Sequence, residues 1–78
     1  WVRVTNPHDH AVTVEYRIGP FADCRKNNDF VGSRVVPAHD VWTLEVRSEG
    51  NACIRLAGSA RWWHNKVTHG QTHQYTVE

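Results

Sequence analysis

Six histidines in a chain of 78 residues are the first candidates for chemistry. His8, Asp9 and His10 fall in one turn-forming stretch and His39-Asp40 in another, with His64, His69 and His73 further along. Imidazole and carboxylate donors of this kind suit zinc or copper. The two turns would have to meet at one end of the fold to share an ion, and their spacing fixes no third ligand. The metal reading therefore rests on His8, His10 and His39 alone, against the reading that all three are solvated turn residues, and no cofactor is expected.

Catalysis has less to draw on. The serines are Ser33, Ser48 and Ser59, none in a GxSxG elbow, and the acidic residues are scattered through turns and outward strand positions. No nucleophile–base pair or paired carboxylate can be assembled, so the expectation is a protein that is not an enzyme. The tryptophans are the sharper feature. Trp62 and Trp63 are consecutive, and successive strand residues point to opposite faces, so only one indole can enter a one-sided core. Asn65 and Val67 share a face with Trp63, which puts Trp63 inside and leaves Trp62 outside with His64 and Lys66, the opposite choice remaining open. Trp1 lies opposite Val2 and Val4 and is a second exposed indole. Aromatic anchors bordered by basic groups are common at interfaces, so Trp62, Trp63, Trp1, Arg61 and Lys66 are the expected binding patch. A sugar stacked on the ring, or an indole packed under a loop of its own domain, are the alternatives.

Cys24 and Cys53 are the two cysteines, and no CxxC pair accompanies them. A disulfide is the natural reading, two unpaired core cysteines the alternative. The bond would close a loop of roughly 30 residues, about 3–4 kcal/mol by the chain-entropy argument. It favours an oxidising compartment, so an extracytoplasmic location (periplasm, cell surface or secreted) is expected.

These groups need elements to hold them, and period-two alternation runs from end to end with no helical spacing over eleven or more residues. The runs are Trp1 to Thr5, Ala11 to Ile18, Phe30 to Val36, Val41 to Arg47, Ala52 to Ala57, Arg61 to Thr68 and Thr72 to Glu78. Val12, Val14, Tyr16 and Ile18 share one side of the second run; Trp42, Leu44 and Val46 share one side of the fourth. Gly32 marks a bulge or a close backbone approach in the third. Residues 20–29 form a polar surface loop that needs an anchor. In the fifth run Ile54 and Leu56 point to the core and Cys53 and Arg55 away from it, so the disulfide would pin that loop across an outer face. In the last run His73, Tyr75 and Val77 are the preferred inward set, the opposite register through Thr76 and its neighbours being the alternative. Ser48-Glu49-Gly50-Asn51 and His69-Gly70-Gln71 read as turns.

About seven short strands in so small a chain predict one all-β domain over residues 1–78, a two-sheet antiparallel β-sandwich of immunoglobulin-like or transthyretin-like type, with a small open barrel as alternative. The formal charge of +1 supplies no field for nucleic acid, and no apolar stretch is long enough for a membrane span. The chain opens on Trp1 rather than Met, as a processed mature chain would, leaving room for a signal peptide or lipid anchor before it.

The order of motifs, from Val2-Arg3-Val4-Thr5-Asn6 through Phe30-Val31-Gly32-Ser33-Arg34-Val35, Val41-Trp42-Thr43-Leu44 and Ile54-Arg55-Leu56-Ala57 to Val67-Thr68-His69-Gly70-Gln71, resembles small bacterial secreted or lipoprotein β-sandwich domains of uncharacterised function. The resemblance implies the fold and an envelope location, and brings no active site. A weaker likeness, Val12-Thr13-Val14-Glu15-Tyr16 followed by Cys24, is to small α-amylase inhibitors of the tendamistat type, whose first disulfide and Trp-Arg-Tyr triplet are absent here. The expectation is a structural or protein-interaction module, an accessory subunit docking on a larger membrane complex or self-assembling. A carbohydrate- or metal-binding module and a small secreted enzyme inhibitor are the alternatives.

Overall fold

Every alternating run forms a strand. The computed structural model describes residues 1–46, 50–68 and 70–78. In chain order these give β1 (Val2–Thr5), β2 (Val12–Gly19), a one-turn 3-10 helix (Cys24–Lys26), β3 (Phe30–Val36), β4 (Val41–Leu44), β5 (Gly50–Leu56), β6 (Trp63–Val67) and β7 (His73–Thr76). β4 stops at Leu44, short of the expected end at Arg47, and Arg47, Ser48, Glu49 and His69 lie outside the described residues. Gly50 and Asn51 belong to β5 rather than to a turn, paired with Val67 and Lys66.

The strands divide into a three-stranded sheet, order β4-β1-β7, and a four-stranded sheet, order β3-β2-β5-β6. All pairs are antiparallel except β1 with β7, which run side by side in the same direction. β1 and β2 lie in different layers, whereas the first two strands of the constant-type immunoglobulin arrangement share a sheet. The core between the layers is built from the inward positions: Val2, Val4, Val14, Val36, Ile54, Val67 and Val77 are buried, with Tyr16, Ile18, Trp42, Leu56, Trp63 and Tyr75 packed around them. Each fully buried aliphatic side chain of this size contributes about 1.5–3 kcal/mol. The inward registers of β1, β2, β5 and β7 are those the alternation predicts.

Two chain segments cross between the sheets at one end, and a single side chain joins them. Asn6, fully buried, donates through Nδ2 to the carbonyls of His10 (2.9 Å), Val36 (3.1 Å) and Pro37 (3.0 Å). Its Oδ1 accepts from the His8 N–H at 2.9 Å, and its own backbone N–H donates to the Asp40 carbonyl at 2.9 Å. Asn6 thus ties the β1–β2 turn to the β3–β4 turn, a role its place in a cluster of turn formers does not reveal.

The loop from β2 to β3 lies over the outer face of the four-stranded sheet. Cys53 stands opposite Arg17 and His64, on that outer face, and is bonded to Cys24 with the Cα atoms 5.7 Å apart. The disulfide therefore orders the loop rather than stapling the core, as expected, and both sulfurs end up buried beneath it. Asn27 is a second anchor. Also fully buried, it donates to the Phe21 carbonyl at 2.7 Å and accepts from the Phe21 N–H at 2.8 Å. A Cβ at Gly19 would come within 2.6 Å of its Oδ1, so the close approach requires glycine there. Asp23 caps the one-turn helix: the Arg25 backbone N–H, and secondarily its side chain, hold the Asp23 carboxyl below its ordinary value.

Candidate functional site

The expected patch is brought together in part: Arg61, Trp62 and Trp63 line one groove, and Trp1 and Lys66 lie outside it. Trp63 pairs with Ile54, faces inward and lies 5.7 Å from the Tyr75 ring. Trp62 is on the outer side as expected, but it is only half exposed: the guanidinium groups of Arg55 and Arg17 sit 4.5 and 5.5 Å from its ring centroid. Arg55 is itself held by Glu15 through Nε at 2.9 Å and Nη2 at 2.8 Å. These cations of its own sheet cover part of the indole, a contact worth about 0.5–2 kcal/mol. A groove of about 390 Å³ is lined by Arg61, Trp62 and Trp63 together with Tyr75 and Glu78, so three of the five expected patch residues border one hollow. Burial, and then the Glu78 carboxylate, push the Tyr75 phenol above its ordinary value.

Trp1 is exposed as expected, at 47%. Its carbonyl accepts from the His73 N–H at 3.0 Å and its ammonium donates to the Gln71 carbonyl at 3.1 Å, which places it beside the beginning of β7. Arg61 reaches Glu78, beyond the other end of β7, at 3.9 Å. Trp1 thus lies at the beginning of β7, whereas Trp63 lies against Tyr75 within the strand and Arg61 reaches the residue beyond its end. Lys66 is exposed on the outer side of β6.

The two histidine turns do meet: the His39 N–H donates to the His8 carbonyl at 3.1 Å, with His39 in the left-handed region at φ 55°. The His8 and His10 rings, however, have other partners. His8 Nε2 donates to the Glu78 carbonyl at 2.9 Å, His8 stacks on His10 at 5.3 Å, and His10 Nδ1 is 3.2 Å from Asp9. Among the described residues no three His, Cys, Asp or Glu side chains are placed to hold a metal ion.

What the tryptophans lack, β3 and its neighbourhood carry. Phe30, Val31, Val35 and Val41 are 53, 55, 58 and 40% exposed, four of the six large hydrophobic residues exposed among those described. β3 is the outermost strand of its sheet, paired residue for residue with β2 from Phe30 to Val36 and without a bulge. Gly32 is instead the close approach: a Cβ there would meet the Tyr16 hydroxyl oxygen at 2.4 Å. Tyr16 lies across the glycine, its ring 5.5 Å from Phe30 and 5.3 Å from Trp42. These three rings, with Ile18 and Leu44, line a cleft of about 630 Å³ between the sheets. Arg34, the one charged residue of β3, turns inward with its guanidinium 5.8 Å from the Trp42 ring.

No family model, curated protein or solved structure matches the chain. The geometry above is what bears on its function.

Proposed function

We propose that this domain is a non-enzymatic protein-interaction module of an oxidising, extracytoplasmic compartment, docking onto a larger assembly or onto itself through the β3 side of the sandwich. The observation that carries the reading is β3: a sheet edge seven residues long with no strand on its far side among the described residues, and with Val31 and Val35 more than half exposed on its outer face. Open edges of this kind take up another strand by main-chain hydrogen bonds, and the alternating side chains select the partner. The Cys24–Cys53 bond supports an oxidising compartment.

The likeness to small secreted and lipoprotein sandwiches stands as a proposal of the same kind. Stacked sugar is less well served by the aromatic cleft, where Tyr16 meets Phe30 at 32° and Trp42 at 46° rather than forming a flat platform. The test is native size in a gentle detergent extract of the source cells, with mass spectrometry of what co-migrates. A defined particle that loses the 9.0 kDa domain when Val35 is replaced by Lys supports the reading; a particle that keeps the Val35→Lys domain removes it.

A further inference from the structure

We infer that the occupant of the β3 edge is a second copy of this chain, joined antiparallel about a two-fold axis at Ser33 to make one continuous eight-stranded sheet. This rests on the reading of β3 as an interaction edge, and the strand's own sequence supplies the argument. A two-fold pairing that keeps both outer faces on one side must set odd residues against odd and even against even, because side chains alternate. Along the seven residues Phe30–Val36, only centres at Gly32, Ser33 and Arg34 pair the greater part of the strand with itself. Centring on Arg34 sets two guanidinium groups directly opposite each other, which is destabilising. Centring on Gly32 sets Val35 against Asp29 and leaves Val31 against serine.

Centring on Ser33 pairs Val31 with Val35 of the second copy on the outer face, twice over, with Ser33 against Ser33 between them. Val31 and Val35 are 55 and 58% exposed in the single chain, and β-branched pairs at this distance stabilise an antiparallel ladder. On the inner face Arg34 then stands opposite Gly32 of the second copy. A charge turned inward is a common device for keeping foreign strands off an edge. Here it meets a residue without a side chain, and what lies over that glycine is the Tyr16 hydroxyl, an oxygen that can accept from a guanidinium. The same arginine that discourages an arbitrary strand is tolerated by the chain's own copy, so selectivity comes from repulsion as well as attraction. The pair is closed: each copy has one β3, so the contact is isologous and ends at two.

A contact made mainly by one strand belongs to the small, transient class, below about 1,200 Å² in total, so association is read at about 0.1–1 mM protein, where an interaction of this size is populated. Sedimentation velocity over that range is expected to move the mass from 9.0 kDa towards about 18 kDa, twice the single chain. Val35→Lys, at a position too exposed to be needed for folding, is expected to weaken the association at least tenfold, and Gln74→Lys on the other sheet to leave it unchanged.

Ser33→Cys gives an independent readout. Directly opposed residues of an antiparallel pair have Cα atoms about 4.5–5.5 Å apart, within reach of a disulfide. Mild oxidation should link the peptide to itself at position 33, far in excess of a Gln74→Cys control. A monomer throughout the range, or a Val35→Lys variant that associates like the parent, overturns the pairing. If the parent is monomeric but Val35→Lys still drops out of the native particle, the second copy is wrong and the edge serves another protein. If the particle keeps Val35→Lys, the reading of β3 itself falls.

Discussion

The four-stranded sheet ends in two different ways. β6 is five residues long and carries His64 and Lys66 on its outer side, with Arg61 just before it; His64 is held by Asn51, its Nε2 2.8 Å from Oδ1. β3 is seven residues long and offers Val31, Ser33 and Val35 on the same side, with its single charge folded in over Trp42. Both are edges by topology, yet only β6 is short and charged, the usual defences against strand addition. An edge with an apolar outer side beside one whose outer side is charged points to use of the first, its inward Arg34 filtering partners rather than closing the edge.

The comparison can be strained most severely from the loop that leads into β3. Reduction of the Cys24–Cys53 bond removes about 3 kcal/mol of loop constraint, and for a domain of this size should lower the melting temperature by roughly 10–20 °C. Loss of amide protection should begin at Phe30 and Val31 and leave β6 behind. An unchanged melting temperature in dithiothreitol would mean that the loop is held by its hydrogen bonds, those of Asn27 and Asn51 among them, without the disulfide.

The other end of β3 depends on Asn6. Asn6→Ala leaves the Val36 and Pro37 carbonyls without their donor and should destabilise the fold by about 2–3 kcal/mol, read as a shift of the denaturation midpoint, while Asn6→Asp should recover little because its carboxylate cannot donate. Gly32→Ala acts on the middle of the strand. Its methyl group must displace the Tyr16 ring, at about 1–3 kcal/mol, and near-ultraviolet circular dichroism should report the disturbed Tyr16–Trp42 contact. The mildest change in stability should come from His64→Val combined with Lys66→Val on β6, within about 0.5 kcal/mol at exposed positions. Its effect is on assembly. With both edges open the two-copy limit disappears, and light scattering should show growth to larger species; a double variant that stays the size of the parent would remove charge as the reason β6 is closed.

Much of this was legible in the chain. Alternation locates all seven strands, gives β3 its full extent, and puts Cys53 on the outer face where the disulfide is found. What alternation cannot give is neighbourhood. Trp62 reads as a free indole because its cover comes from Arg55 on the neighbouring β5 and from Arg17 one strand further along on β2, and depends on a register spanning some forty-five positions of chain. The exposure of β3 is hidden in the same way, since a Val-rich strand looks alike at the centre of a sheet and at its margin until the strand order is known. Asn6 and Asn27 were obscured for a different reason. Asparagine in a stretch of turn residues is ordinarily solvated, and only the convergence of carbonyls around each amide separates these two from the rest.

The parallel pairing of β1 with β7 has a mechanical consequence. Trp1 lies at one end of that ladder and Glu78 beyond the other, and the rungs run from Val2 with His73 to Thr5 with Thr76. Tension applied between the two ends of the domain would therefore load the rungs together, sliding one strand along the other instead of peeling bonds apart one at a time. Such a domain strung between two anchored points would yield late and all at once, on a timescale set by its unfolding rate rather than by its equilibrium stability.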